Sequence, residues 1–340
     1  MSDPASAAPS DPPAPAEPVT PAEPAPEAAP AAAPAEAGPR IALLGEAWVV
    51  AGVAQALLDR DFRVRVLAPD EPTAEAMKGV KASADALEVL RGSPERSEDL
   101  HKLCQDARGV ALLAPIELNG RRWRRERHLD ELKALIAAGE ACKVERIVYL
   151  STVAADSKSR VPVLREAVQA EGLTKDAHIA DFVLRAAPLM GPGDGLVGPA
   201  LHAARQGSPF MLVWGYGDTA LQPLHIEDLG RCIARCFTRS LDDLRPGVYA
   251  VAGQEAMSHL ELLDRVIEAE RRFKVKVHLP LFMLRLAQWA GGGVGTPFGE
   301  RVALLTAPFY AERNDAPKML GPHAQLKSLA QTRQELAPTA

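Results

Sequence analysis

From Arg40 onward, short runs of Ile, Val and Leu alternate with longer stretches whose apolar residues recur every three or four positions. A strand that reads as a continuous apolar run is buried on both faces. Amphipathic helices between such strands act as crossovers, so neighbouring strands run parallel. The pattern predicts strands at Ile41–Leu44, Arg63–Leu67, Ala86–Arg91, Val110–Ala114, Arg146–Leu150 and Phe182–Ala186. Helices are expected at Val53–Asp59, Glu98–Ala107 and His128–Ala141, the last placing Leu129, Leu132, Leu135 and Ile136 on one face. The expected fold class is α/β, a doubly wound parallel sheet with helices on both faces.

The texture changes after Ala187. Pro188-Leu-Met-Gly-Pro-Gly-Asp reads as a tight loop, with short strands expected near Met211–Trp214 and Gln222–His225 and a helix opening at Asp228, which can cap it. Val248–Val251 reads as a strand that partly completes the sheet, and Ser258-His-Leu-Glu261 as a capping box opening a further helix. Residues 40–190 therefore form the sheet domain and 191–335 a smaller C-terminal α/β lobe.

Residues 1–39 stand apart. They are dominated by Ala and Pro, hold six carboxylates and contain no Lys or Arg. Pro removes helix donors and Ala offers little area to bury, so a disordered N-terminal arm is expected. The whole chain carries a net charge of −5, so the remainder is left at about +1. The start lacks a basic, apolar signal-peptide pattern and no run reaches transmembrane length. Cys104, Cys142, Cys232 and Cys236 form no Cys-x-x-Cys pair and read as core residues, with no metal site. A cytoplasmic location is the expectation.

Four segments occur in one order: Arg146-Ile-Val-Tyr-Leu-Ser-Thr, Val183-Leu-Arg-Ala-Ala-Pro-Leu-Met-Gly-Pro-Gly-Asp, Gln222-Pro-Leu-His-Ile-Glu-Asp-Leu and Gly247-Val-Tyr-Ala-Val-Ala-Gly. In that order they resemble the extended and atypical short-chain dehydrogenase/reductase superfamily. The resemblance covers roughly residues 40–330 and is nearest the atypical branch, with its NmrA-like sensors and the nucleotide-binding accessory subunit of respiratory complex I. It implies a Rossmann-type fold with NAD or NADP lying across the carboxyl ends of the strands. By that correspondence the cofactor-lining positions are Gly45, Trp48, Val49, Asp70, Ser93, Ala114, Pro115, Ser151 and Pro188.

This chain departs from the family's pattern there. The family's Gly-x-x-Gly-x-x-Gly turn becomes Gly45, Trp48 and Ala51, and an indole at the second position would cover the pyrophosphate. Asp70 follows the second strand two residues late, and Ser93 replaces the acidic residue expected against adenine. The family moves a proton with a tyrosine and a lysine four residues on. Four residues after Tyr149, Tyr216, Tyr249 and Tyr310 stand Val153, Ala220, Gly253 and Asn314, so the chain contains no Tyr-x-x-x-Lys. Matching by context puts Val163 and Ala167 at the two positions, leaving Ser151 as a weak catalytic candidate.

The expectation is therefore a non-catalytic dinucleotide sensor or scaffold, with NAD or NADP binding weak or absent. The alternative is an NAD(P)-dependent oxidoreductase or epimerase/dehydratase with an atypical proton donor, such as Ser151 with a bound water. A protein partner would be met through the arm or the second lobe. The basic run Gly120-Arg-Arg-Trp-Arg-Arg-Glu-Arg-His128 reads as a solvated helical face, and a near-neutral domain with one such run gives no case for nucleic acid. The apolar stretch Leu281–Ala290 is expected to be a buried helix, with docking on a partner or a membrane surface as the alternative, and the Gly-rich 291–297 a flexible connection.

Overall fold

The computed structural model describes residues 38–336, apart from 117–126, 239–243, 292, 294, 295, 306 and 322. The acidic arm up to residue 37 and the core of the basic run thus lie outside the described residues.

The sheet domain runs β1 (Arg40–Gly45), α1 (Ala47–Leu58), β2 (Arg63–Ala68), α2 (Glu71–Lys78), β3 (Leu87–Arg91), α3 (Ser97–Cys104), β4 (Gly109–Leu113), α4 (His128–Ala141), β5 (Arg146–Thr152), α5 (Pro162–Lys175) and β6 (Ala180–Ala186). Then follow β7 (Leu189–Met190), α6 (Val197–Arg205), β8 (Phe210–Trp214), β9 (Ala220–Leu221), β10 (Leu224–His225), α7 (Ile226–Cys236), β11 (Gly247–Val251), β12 (Met257–Ser258), α8 (His259–Ala269), β13 (Val275–Leu279), α9 (Leu281–Ala290), α10 (Pro297–Leu304), α11 (Ala316–Leu320) and α12 (Leu329–Glu335).

Seven strands pair in parallel in the order β11-β6-β5-β4-β1-β2-β3. The order reverses between β1 and β4, the switch point at which such sheets open a crevice beyond their carboxyl ends. One apolar layer packs α1, α7 and α11 on one face, and a second packs α3, α4 and α5 on the other. A third cluster, centred on Leu201, Met211, Leu262 and Phe309, packs the later helices and short strands against Val163 and Leu164 of α5.

Two glycines set the closest helix crossing. A Cβ on Gly52 of α1 would stand 2.4 Å from Ile226 Cγ1, and one on Gly230 of α7 would stand 2.4 Å from Ala56 Cβ. Two buried strand arginines serve helix ends. Arg65 donates to the carbonyls of Lys102 and Gln105 behind α3, and Arg146 donates to those of Cys236 and Thr238 behind α7. Cys104, Cys232 and Cys236 are buried as expected, whereas Cys142, expected in the core, is only partly buried at its margin. Burial holds the Cys104 and Cys232 thiols up at about 12, so they stay protonated.

Several local expectations are corrected. α1 begins at Ala47, six residues early, because the chain turns into the helix directly after Gly45. α7 begins at Ile226, and its N-cap is His225, whose Nδ1 accepts from the Glu227 N–H at 3.2 Å. Asp228 is instead buried and binds Arg231 and the Lys327 N–H. Gln222 and Pro223 lie outside any strand, and the Gln222 amide instead donates to the Gly253 carbonyl. The Ser258 box is half formed: Ser258 accepts from Glu261 N–H at 3.0 Å, but the Glu261 carboxylate turns to Arg265. His128, expected on a solvated face, is buried and pairs with Tyr149 Oη at 2.9 Å. The largest correction is α9, of which no residue is buried.

Candidate functional site: the crevice at the carboxyl ends of the strands

Gly45 ends β1 where β4 comes closest. A Cβ there would stand 2.0 Å from the Leu113 carbonyl oxygen, so only glycine fits, and the next N–H, of Glu46, donates to that oxygen at 2.9 Å. Glu46 is the N-cap of α1 in extended conformation, and its side chain does not cap the helix. It is an acidic residue at the helix N-terminus, the end at which the helix dipole favours negative charge.

Trp48 is half-buried one residue into α1, while Val49 beside it is fully buried in the core and faces away from the crevice mouth. The loop from Pro188 to Leu196 folds over Trp48. A Cβ on Gly193, at φ +93°, would stand 2.9 Å from Trp48 Cβ. The loop is pinned by Asp194, which accepts from the N–H groups of Gly191, Leu196 and Gly198. Pro115, Ser151, Thr152, Pro188 and Trp48 then enclose a crevice of about 20 Å³, room for about one water. Ala114 is buried behind it.

The structure thus brings Trp48, Pro115, Ser151 and Pro188 together and leaves Val49 and Ala114 out of the lining. Asp70 and Ser93 lie at the far edge, beyond β2 and β3. Asp70 is the N-cap of α2, accepting from Thr73 N–H at 2.9 Å and from its hydroxyl at 2.6 Å. Ser93 N–H donates to Asp99 Oδ2 at 3.0 Å, so a carboxylate from α3 stands beside the serine. Sequence reading placed no arginine at this edge. The β2–β3 register sets Arg91 opposite Ala68, where it pairs with Glu71 at 3.0 Å.

Ser151 is buried at the end of β5, and its hydroxyl donates to Glu171 Oε1 at 2.5 Å. Arg185 grips the same carboxylate through Nε at 2.9 Å and Nη2 at 2.6 Å. That bidentate bond is the main cause raising the Arg185 pKa. The serine proton therefore points into a charge-assisted network and not into the crevice. Val163 and Ala167, both buried on α5, offer no titratable group. Below them Glu300 accepts the Val163 N–H at 3.1 Å. Sequence reading missed Glu171, Arg185, Glu300 and Glu46. One signal was available: Val163, Ala167 and Glu171 recur four apart, so a carboxylate stands in phase with an inward apolar face.

Among the described residues, the crevice beside Trp48 and Ser151 is about 20 Å³, room for about one water, and Trp48 stands in the first turn of the helix that follows Gly45. A separate cavity of about 320 Å³ opens beside Gly195 and Leu196, lined by Pro199, Met211, Trp214 and His259. Among the described residues no cluster of His, Cys, Asp and Glu could hold a metal, and no helix is long and apolar enough to cross a membrane.

A parallel sheet in this order, with its crevice at the β1–β4 switch, is a Rossmann-type doubly wound fold, as expected from the sequence. Solved structures share it over almost their whole length. An NADPH-dependent quinone oxidoreductase from Escherichia coli, solved with NADPH, aligns at TM-score 0.66 and 17% identity over 87% of this chain and 99% of its own. UDP-glucuronic acid 4-epimerase from Bacillus cereus, in complex with UDP-glucuronic acid and NAD, aligns at 0.65 and 17% over 87% and 98%. A nucleoside-diphosphate-sugar epimerase from Staphylococcus aureus aligns at 0.63 and 15% over 87% and 99%. No family model matches the chain, and no curated protein matches its sequence.

Proposed function

We propose that this chain is a non-catalytic protein on a dinucleotide-binding fold, a scaffold or sensor whose affinity for NAD or NADP is weak or absent. The observation that carries the reading is the crevice, filled to about 20 Å³ by Trp48 and the loop through Gly193. The side chains beside it support it further. Val163 and Ala167 stand where a proton-transferring pair is expected, and Ser151 is committed to Glu171. Removing a general acid forfeits ~10²–10⁴ in rate, and the described residues lining the crevice include no titratable side chain.

Calorimetry with NADH and NADPH tests this. The expected result is no heat of binding up to millimolar cofactor for the natural chain, and measurable binding once Trp48→Gly reopens the phosphate turn. Micromolar affinity in the natural chain, together with turnover of NAD(P)H, would overturn it.

A second reading, an NAD(P)-dependent oxidoreductase or epimerase with an atypical donor, draws on one observation. The 320 Å³ cavity shares Gly195 and Leu196 with the crevice and has His259 in its wall. Oxidation of NAD(P)H with carbonyl compounds or nucleotide sugars, abolished by His259→Phe, would favour it.

A further inference from the structure

We propose that α9 and the groove beside it form a docking surface for an anionic lipid bilayer. The surface stands independently of the reading of the nucleotide crevice.

The helix is inverted for a water-soluble surface. Phe282, Leu286 and Trp289, spaced four and three residues apart, lie along one line and are 69, 61 and 78% exposed, with Met283 beside them at 52%. The side turned to the protein holds Leu281, Leu284 and Gln288, each only half-buried, and Gln288 donates to the Gly299 carbonyl. A surface helix ordinarily turns its apolar stripe to the core and its polar side to water. Here the aromatic stripe points outward. Leu281 holds the orientation, because a Cβ on Gly215 would stand 2.8 Å from its Cγ.

Charge identifies the occupant. Residues 271–299 contain no Asp or Glu and five Lys or Arg, in a chain of net charge −5. Lys274 is spent on the carbonyls of Gln206 and Ser208, and Lys276 on Asp264. Arg271, Arg272 and Arg285 stand exposed, and Phe273, among the first of them, is 85% exposed. Arg285 flanks the aromatic stripe and, with Arg160 from the loop before α5, borders a groove of about 540 Å³ walled by Val161, Leu164, Leu281 and Val302.

Trp, Phe and Leu on one side of a short helix with arginines at its margin match the headgroup–acyl boundary of an anionic bilayer. There the rings sink in and the guanidiniums meet phosphates. Ten residues give about 15 Å, enough to lie in that plane and too little to span it. A second copy suits the face less well. A two-fold contact through this patch would set Arg160 and Arg285 against their own images.

The test is cosedimentation of the full chain with vesicles of equal parts phosphatidylcholine and phosphatidylglycerol, beside pure phosphatidylcholine. Binding is expected to the anionic vesicles, weakened by high salt, and much less to the neutral ones. The double variant Phe282→Ser/Trp289→Ser should lower partitioning about tenfold or more. The double variant Arg160→Gln/Arg285→Gln should lower it several-fold and remove most of the salt dependence. Unchanged circular dichroism and melting midpoint show that each variant is folded, and the arginine variant decides if the aromatic one is not. Absence of binding to anionic vesicles overturns the proposal, as does binding that both folded variants retain. A concentration-dependent dimer dispersed by Leu286→Glu would overturn it too, by assigning the face to a second copy.

Discussion

Trp48 and Gly193, 145 positions apart in the chain, are in direct contact, and each excludes a different neighbour for the other. The glycine adopts φ +93°, and a Cβ on it would stand 2.9 Å from the Cβ of the tryptophan. Trp48 stands in the first turn of α1, directly after β1, and the loop carrying Gly193 packs against it. Gly193→Ala should destabilise the protein by ~2–4 kcal/mol, combining backbone strain with the clash. Trp48→Gly in the same chain should recover only the clash, so the double variant falls short of the sum of the two singles. Urea denaturation of the four proteins measures this. Strict additivity would show that the two residues do not press on one another.

The Glu171 carboxylate holds Ser151 and Arg185 together beneath the crevice floor. Glu171→Gln should cost ~2–4 kcal/mol, reduced from a fully buried pair because Arg185 keeps a third of its side chain in water. Ser151→Ala, which removes one hydrogen bond to a charged acceptor, should cost ~1–3 kcal/mol. If the serine is structural, its removal changes stability while leaving any measured ligand affinity where it was. A loss of ligand affinity in Ser151→Ala with stability unchanged would contradict the structural role.

The crossing of α1 and α7 rests on Gly230 lying against Ala56. Gly230→Ala should destabilise by ~1–3 kcal/mol through overpacking. Adding Ala56→Gly opens the space again and should return part of that loss, less the ~1 kcal/mol that a mid-helix glycine itself costs. Thermal melts of Gly230→Ala, Ala56→Gly and the double variant beside the natural chain give the answer.

Burial lowers the pKa of His259 below its ordinary value. The fold thus holds the neutral ring, while the unfolded chain takes up a proton near pH 6.5. The stability contributed is complete above about pH 6.5 and is lost as pH falls through that value towards the lower folded one. His259→Phe should therefore flatten the decline of the melting midpoint between neutral and mildly acid pH. An identical pH profile in the variant would mean that the ring titrates alike in both states.

The inner strands of the sheet were legible because they are buried on both faces and read as unbroken apolar runs, from Ile41 to Leu44 and from Ile147 to Leu150. Their ends were less so: hydrophobic period does not report a tight turn such as Gly45–Glu46, and α1 starts six residues before its apolar period becomes clear. Asp228 looked like a cap because of its residue type, yet His225 caps α7 and Asp228 is consumed by Arg231 and the backbone of Lys327. The α9 stretch misled for a further reason. An all-apolar decapeptide has the composition of a core helix, and composition does not say whether another element arrives to cover it.

What the sequence by itself determined are properties carried by single residues and short periods: the layered α/β fold, the acidic Ala/Pro arm and the absence of any tyrosine with a lysine four places on. Tertiary structure alone decided how small the crevice is, which carboxylate takes the Ser151 proton and which side of α9 meets solvent. The first two depend on contacts between segments distant in the chain, as Trp48 is from Gly193, and the third on which elements reach α9. Packing of that kind depends on where the whole backbone goes, and no local pattern of residues encodes it.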